Sequence, residues 1–142
     1  MHTESNKNTK YDKVLLQRLR KVVTDLVDAF EPEEIIMYGS YARGDNDIYS
    51  DIDIIIIADT DLRFQDRSLR ALDIVGDSND IPVNPIVYTP VEFKAMLERK
   101  ESFLISALNE SLLLWKKCFG DALDTQLETH EIESDYLKYV KE

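Results

Sequence analysis

Four consecutive isoleucines at residues 54–57 lie inside an apolar stretch that runs from Asp51 to Ala58. A strand with one face in water alternates apolar and polar residues, so an unbroken apolar stretch predicts a strand that is buried on both faces. A sheet that contains such a strand needs other elements packed against it. The chain is therefore predicted to fold as an α/β (α+β) domain, with helices on one or both faces of the sheet.

Three further stretches predict strands, at residues 35–38, 83–89 and 112–116. Pro85 lies in the second of these and has no N–H group to donate to a neighbouring strand. This strand is therefore expected at an edge of the sheet, or with a bulge. Together with residues 51–58, the three stretches predict a small mixed sheet of about four strands.

The helices are predicted from periodicity and from capping residues. Between Tyr11 and Phe30, apolar residues recur every three or four positions, which is the pattern of an amphipathic helix. Residues 89–92, Thr-Pro-Val-Glu, form a capping box with proline at the first helical position, so a helix is expected to begin there. Weaker patterns at residues 61–75 and 103–108 predict two more helices.

The length of 142 residues allows one domain with one core. We expect a flexible N-terminus at residues 1–8 and the folded domain at residues 9–118. Residues 119–142 are expected to form an acidic C-terminal tail with helical character.

The formal net charge of −11 argues against an extended nucleic-acid surface, which would need many Lys and Arg residues; a local basic pocket remains compatible with it. No apolar run is long enough for a membrane helix, and the first residues lack the apolar core of a signal peptide. Cys118 is the only cysteine, which excludes an internal disulfide and a four-cysteine metal site. We expect a cytoplasmic protein without membrane contact.

The residues that carry chemistry lie around the first two predicted strands. Gly39 and Ser40 directly follow residues 35–38 and open a predicted helix, where backbone N–H groups can bind an anion. After ten further residues come Asp51 and Asp53, which project to the same side of a strand. Two adjacent carboxylates repel each other unless a cation compensates, and Mg²⁺ keeps open positions for phosphate oxygens. Each part alone is unspecific, but the combination predicts phosphoryl or nucleotidyl transfer.

This pattern, Gly-Ser followed by ten residues and Asp-x-Asp, resembles that of the minimal nucleotidyltransferases (MNT proteins) of the DNA polymerase beta superfamily. The local sequences GSYARG and SDIDIII look very similar to theirs, and the resemblance covers most of the chain. It implies a polymerase-beta-like nucleotidyltransferase fold. It also implies that Gly39 and Ser40 hold the triphosphate of a nucleotide, and that Asp51 and Asp53 bind two Mg²⁺ ions. Arg43 matches a basic position near the phosphates; its alternative role is a surface salt bridge.

The sequence departs from the family pattern at one position. A third carboxylate usually lies on the next strand, where this chain has Asn84. In relatives that carboxylate ligates the catalytic metal and can help to deprotonate the attacking hydroxyl, so Asn84 takes a catalytic position. Asparagine offers a neutral carbonyl oxygen and no base. Catalysis could be weakened, Asp80 or a partner could supply the missing group, or the chain could bind nucleotide without catalysis.

The resemblance implies Mg²⁺-dependent transfer of AMP from ATP to a hydroxyl acceptor. Drug- and RNA-modifying relatives hold their substrates with an extra domain, so we expect a separate protein to bring the acceptor here. The chain resembles the antitoxin half of HEPN–MNT pairs, in which AMP is attached to a tyrosine of a HEPN ribonuclease toxin. A hetero-oligomer with such a toxin is therefore expected. Two alternatives are a non-catalytic antitoxin that acts by binding alone and an antibiotic nucleotidyltransferase.

Overall fold

The computed structural model describes residues 13–76, 81–117, 120–121 and 133–141. Its helices are α1 (Lys13–Phe30), α2 (Ser40–Arg43), α3 (Phe64–Val75), α4 (Pro90–Glu98) and α5 (Ser102–Asn109). Its strands are β1 (Glu34–Tyr38), β2 (Ile52–Ile57), β3 (Val83–Tyr88), β4 (Leu112–Lys116) and β5 (Gly120–Asp121). A 3₁₀ turn at Asp135–Leu137 and a helical turn at Lys138–Lys141 follow.

The strands form one mixed sheet in the order β3-β2-β1-β4-β5. β1 pairs antiparallel with β2 and with β4, while β2 and β3 are parallel and are connected through α3. The predicted sheet of about four strands is confirmed, and the two-residue strand β5 is added at one edge. β3 is the opposite edge strand, so Pro85 lies where a missing N–H group is tolerated, as predicted.

Helices cover both faces of the sheet. The buried stripe of α1 packs with α3 on one face, and Leu19, Val22 and Leu26 are fully buried there. α4 packs on the other face through Phe93 and Leu97, and α5 packs there through Leu104, among others. The predicted helix between Tyr11 and Phe30 is thus confirmed within α1, although Tyr11 lies outside the described residues.

The isoleucine run is buried on both sides, as predicted. Ile54 and Ile56 belong to the core beneath α1 and α3, whereas Ile55 and Ile57 belong to the core beneath α4 and α5. Full burial of one such side chain contributes about 1.5–3 kcal/mol. These four residues therefore hold β2 firmly between β1 and β3, and β2 carries Asp53.

The predicted capping box is present at the start of α4. The Glu92 N–H donates to Thr89 Oγ1 over 3.2 Å, and the Thr89 N–H donates to Glu92 Oε1 over 2.9 Å. These two hydrogen bonds satisfy backbone donors that would otherwise lack partners at a helix start. They fix where the chain turns from β3 into α4.

Part of the acidic tail packs on the face that α4 and α5 cover. Tyr136, Leu137, Tyr139 and Val140 contact that core. The Asp135 N–H also donates to Glu34 Oε2 over 2.9 Å. The tail therefore docks through both apolar and polar contacts.

Several sequence predictions fall outside the described residues. They concern residues 1–8, Asp80, Cys118 and the tail segment 122–132. Among the helices that are described, none combines the length and the apolarity needed to cross a membrane.

Candidate active site

Gly39 connects the buried end of β1 to the one-turn helix α2. Its backbone has φ 79° and ψ −159°, a conformation that residues with side chains rarely adopt. A β-carbon at this position would overlap the Asp53 carboxylate, with Oδ2 as the nearest atom. Glycine therefore allows the backbone to pass directly beside Asp53, and Ser40 follows at the start of α2.

Asp51 and Asp53 lie at the beginning of β2. The ladder starts at Ile52, whose N–H donates to the Pro82 carbonyl over 2.8 Å, so Asp51 immediately precedes the strand. Asp51 is exposed and Asp53 is partly exposed. Asp53 lies on the same side of β2 as Ile55 and Ile57, so its carboxylate belongs to the face that α4 and α5 cover, and Asp51 lies two residues earlier in the chain. Asp53 lies at the end of that face nearest Gly39.

Asn84 is the neighbour of Asp53 on the other side. The two residues are in register across the parallel pair of β2 and β3. Asn84 Nδ2 donates a 3.0 Å hydrogen bond to Asp53 Oδ1. The structure thus brings Asn84 to the carboxylate pair, where the family resemblance expects a third carboxylate.

A cavity of about 200 Å³ lies beside Gly39. Tyr38 and Arg43 line it from the β1–α2 side, and Phe103 and Glu110 line it from α5 and the residue after it. Sequence reasoning did not find Phe103 or Glu110. No motif marks them, and only the pairing of β1 with β4 brings this part of the chain to Gly39.

Arg43 is exposed and forms salt bridges. Its Nε donates to Asp45 Oδ2 over 3.1 Å, and its Nη1 lies 3.7 Å from Glu110 Oε1. The hydrogen bond with Asp45 raises the pKa of Arg43. The salt-bridge alternative is therefore present, but exposed pairs of this kind contribute little. The guanidinium, on the wall of the same cavity as Gly39, can exchange these partners for phosphate oxygens at small cost.

The two tyrosines beside Gly39 are packed into the two cores. Tyr41 belongs to the core beneath α1 and α3. Tyr38 belongs to the opposite core, and its ring makes an edge contact with Phe103 at a centroid distance of 5.6 Å. Burial, with a smaller contribution from the Asp53 carboxylate, raises the pKa of Tyr38, so this phenol is neutral at neutral pH.

The donor set suits a cation that is shared with a nucleotide. Mg²⁺ is commonly bound by one or two carboxylates together with substrate phosphates. Asp51 and Asp53 offer those carboxylates, and Asp53 borders the Gly39 backbone. Within the described ranges, no group of three or more His, Cys, Asp or Glu side chains is arranged to hold a metal.

The fold and these residues agree with one family of enzymes. A family model described as nucleotidyltransferase domain matches residues 16–113, which is more than half of the chain and includes every residue of the site. The chain belongs to this family. It is a minimal nucleotidyltransferase, as the resemblance implied.

Two relatives support the same assignment. The chain is 27% identical over 73 residues to "Putative protein adenylyltransferase MJ0141" of Methanocaldococcus jannaschii, covering 50% of this chain and 74% of that protein. The crystal structure of a "putative nucleotidyltransferase" from Sulfolobus solfataricus superimposes with a TM-score of 0.52 at 24% identity. That alignment covers 76% of this chain and 88% of the solved one, and it supports the fold.

Proposed function

We infer that this nucleotidyltransferase transfers AMP from ATP, with Mg²⁺, to a tyrosine hydroxyl of a partner protein, a HEPN-type ribonuclease toxin. The observation that carries the proposal is the approach of the Gly39 backbone to Asp53, with Asp51 two residues away. This arrangement joins a phosphate-binding turn to a pair of metal-binding carboxylates. The adenylyl group and the protein acceptor are supported by the name of the M. jannaschii relative.

Each site residue has a role in this reaction. Gly39 and Ser40 bind the triphosphate through backbone N–H groups and the Ser40 hydroxyl, and Arg43 adds a positive charge. Asp51 and Asp53 would hold Mg²⁺, which would neutralise negative charge on the phosphates. The acceptor oxygen forms a bond to the α-phosphorus of ATP, and the bond from that phosphorus to the bridging oxygen breaks. Pyrophosphate leaves with the bonding electron pair, and the hydroxyl proton passes to water.

Asn84 favours a tyrosine as the acceptor. An amide cannot take the proton of the attacking hydroxyl, so the acceptor must lose it without help from this position. A phenol has a pKa of about 10, far below that of an aliphatic alcohol, and it loses its proton more readily. A tyrosine is therefore a better substrate for this site than a serine or a sugar hydroxyl.

The test measures how much label the parent and the Asp53→Asn variant each transfer from α-labelled ATP to a HEPN-type protein. The variant keeps the shape of the side chain but removes one metal-binding charge, so transfer should fall by at least about a hundredfold. Asp59→Asn is the matched control, because Asp59 is exposed just beyond the opposite end of β2. Equal transfer by parent and D53N would disprove the assignment.

A second candidate is neutralisation of the toxin by binding alone. Asn84 supports it, since the site lacks a charge that relatives use. The same assay separates the two: stable complex formation without labelled partner indicates binding only. In that case D53N should bind the partner as tightly as the parent does.

A further inference from the structure

The two carboxylate oxygens of Asp53 face different neighbours. Oδ2 lies against the Gly39 backbone, closer than a β-carbon would permit. Oδ1 accepts the 3.0 Å hydrogen bond from Asn84 Nδ2. One oxygen therefore borders the proposed phosphate-binding turn, and the other is engaged by an amide donor on β3.

This arrangement does not suit two metal ions. A second cation on the Asn84 side of the Asp53 carboxylate would have to displace the N–H group that already occupies Oδ1. A hydrogen bond to a charged acceptor is stronger than one between neutral groups, and a second ion would have to replace it. Turning the Asn84 amide would direct its carbonyl oxygen at the Asp53 carboxylate, where two negative atoms repel each other.

The negative charge that the described residues place around Asp53 is also low for binding two divalent cations. Within the described residues no third carboxylate joins Asp51 and Asp53, and Asn84 is neutral. The two carboxylates together balance the charge of one divalent cation, so a second cation would depend on the nucleotide phosphates for all of its compensating charge. One ion bound by one or two carboxylates and shared with nucleotide phosphates is the common arrangement for Mg²⁺.

We propose that this site holds one Mg²⁺ with its nucleotide, on the Asp51 and Asp53 Oδ2 side, instead of the two that the family resemblance implies. The inference rests on the proposed function, because it concerns the same nucleotide site. Asn84 is a positioning residue: its amide fixes the rotation of the Asp53 carboxylate and occupies the oxygen that a second ion would need.

Counting bound Mn²⁺ by electron paramagnetic resonance tests the proposal. Mn²⁺ takes the same oxygen ligands and is paramagnetic. The full chain is titrated with Mn²⁺ in the presence of α,β-methylene-ATP, which resists cleavage at the α-phosphorus. The variants are Asn84→Asp, which adds a carboxylate, and Asn84→Ala, which removes the donor without adding charge. Asn109→Asp adds the same charge at the end of α5 as a control.

The parent, N84A and N109D should each bind one ion per chain. N84D should bind two, with spectral broadening from neighbouring spins, and its second ion should bind at least about tenfold more tightly than any second ion of the parent. Two coupled ions in the parent would overturn the proposal, and a single ion in N84D would overturn the role of Asn84. No nucleotide-dependent ion in any variant would reject the proposed function as well.

Thermal unfolding supplies a second reading that does not depend on counting. Without metal, N84D should unfold at a lower temperature than N84A, because three carboxylates then repel each other. Mn²⁺ with the nucleotide analogue should raise the unfolding temperature of N84D more than that of the parent. An equal rise in both proteins would contradict the proposal. If N84D does not fold, the ion count of the parent decides alone.

Discussion

Gly39 lies so close to the Asp53 carboxylate that it has no room for a β-carbon. The contact joins the two halves of the sequence motif, because Gly39 directly follows β1 and Asp53 belongs to β2. Antiparallel pairing puts Asp53 opposite Tyr38, the residue before Gly39. The number of residues between the two motif halves is thus the length of chain that forms α2 and the loop leading from α2 to β2.

Gly39→Ala should therefore destabilise the fold and abolish nucleotide binding. Its positive φ alone costs about 1–3 kcal/mol for alanine, and the collision with Asp53 adds roughly another 1–3 kcal/mol. Gly76→Ala is a matched control: Gly76 has φ 69° and ψ −174°, but a β-carbon there meets nothing within 4 Å among the described residues. Urea unfolding should show the larger loss for G39A. Equal losses in the two variants would mean that the collision is relieved without cost.

Much of the fold could be predicted because local chemistry and tertiary position agree. The isoleucine run needs two cores, and the sheet supplies one on each face. Pro85 suits an edge strand, and Thr89 with Glu92 caps a helix in any surroundings. β2 begins at Ile52 instead of Asp51 because the ladder starts with the Ile52–Pro82 hydrogen bond. That bond depends on where β3 lies, which no local pattern specifies.

The site was predictable only where its residues form a motif. Gly39, Asp51 and Asp53 are recognised by spacing, and their roles remain predictions. Phe103 and Glu110 reach the cavity beside Gly39 only through the strand order, which places β4 next to β1. The hydrogen bond from Asn84 to Asp53 likewise depends on register across the sheet. Sequence identified Asn84 as unusual, but only the structure shows which oxygen it engages.

The Arg67–Glu92 ion pair should make stability fall in acid. Arg67 is buried, and its Nη1 lies 2.7 Å from Glu92 Oε1. The hydrogen bond from Arg67 holds the pKa of Glu92 below its ordinary value of 4.5. The unfolded chain therefore binds this proton more tightly than the folded one. The stabilisation is complete above that value and is lost as pH falls through the lower pKa of the folded state.

Glu92→Gln should lower the free energy of unfolding at pH 7 by about 1–2 kcal/mol. The loss is moderate because the Glu92 side chain is 40% exposed and solvent screens the pair. The difference between parent and variant should shrink in acid. Asp66→Asn is the control, because its pair with Arg63 is exposed and should contribute less than about 0.5 kcal/mol. If the difference in the free energy of unfolding between parent and E92Q does not change with pH, the lowered pKa of Glu92 does not control stability in acid.

Glu34 should have the opposite effect on stability from Glu92: its contribution should rise, instead of fall, as the pH is lowered. It is buried, and burial raises its pKa, although hydrogen bonds from Ser134 and Asp135 and the charge of Lys116 oppose the shift. The folded state therefore binds this proton more tightly than the unfolded chain does. This contribution to stability grows as pH falls from the raised pKa toward the ordinary value of 4.5.

Glu34→Gln should remove that dependence while keeping an oxygen for the Asp135 N–H. At pH 7 it should raise the free energy of unfolding by on the order of 1 kcal/mol, because a neutral amide is cheaper to bury than a carboxylate. Unfolding at several pH values from 4.5 upward measures the effect. A clear loss of stability in E34Q at pH 7 would show that the charged form is needed to dock residues 133–141.

The last prediction tests why a chain with Asn84 would use a tyrosine acceptor. Two acceptors are compared: a HEPN-type partner with its acceptor tyrosine, and the same partner with serine at that position. The parent should modify the tyrosine far faster, because a phenol loses its proton to water more readily than an aliphatic alcohol does. Asn84→Asp should raise the rate with serine by about tenfold or more, since a positioned base typically contributes a hundredfold or above, and should raise the rate with tyrosine less.

Equal gains with both acceptors would mean that the carboxylate acts through the metal alone. A slower N84D with both would show that the amide donor to Asp53 is itself required, because a third carboxylate then disturbs the pair that holds the ion.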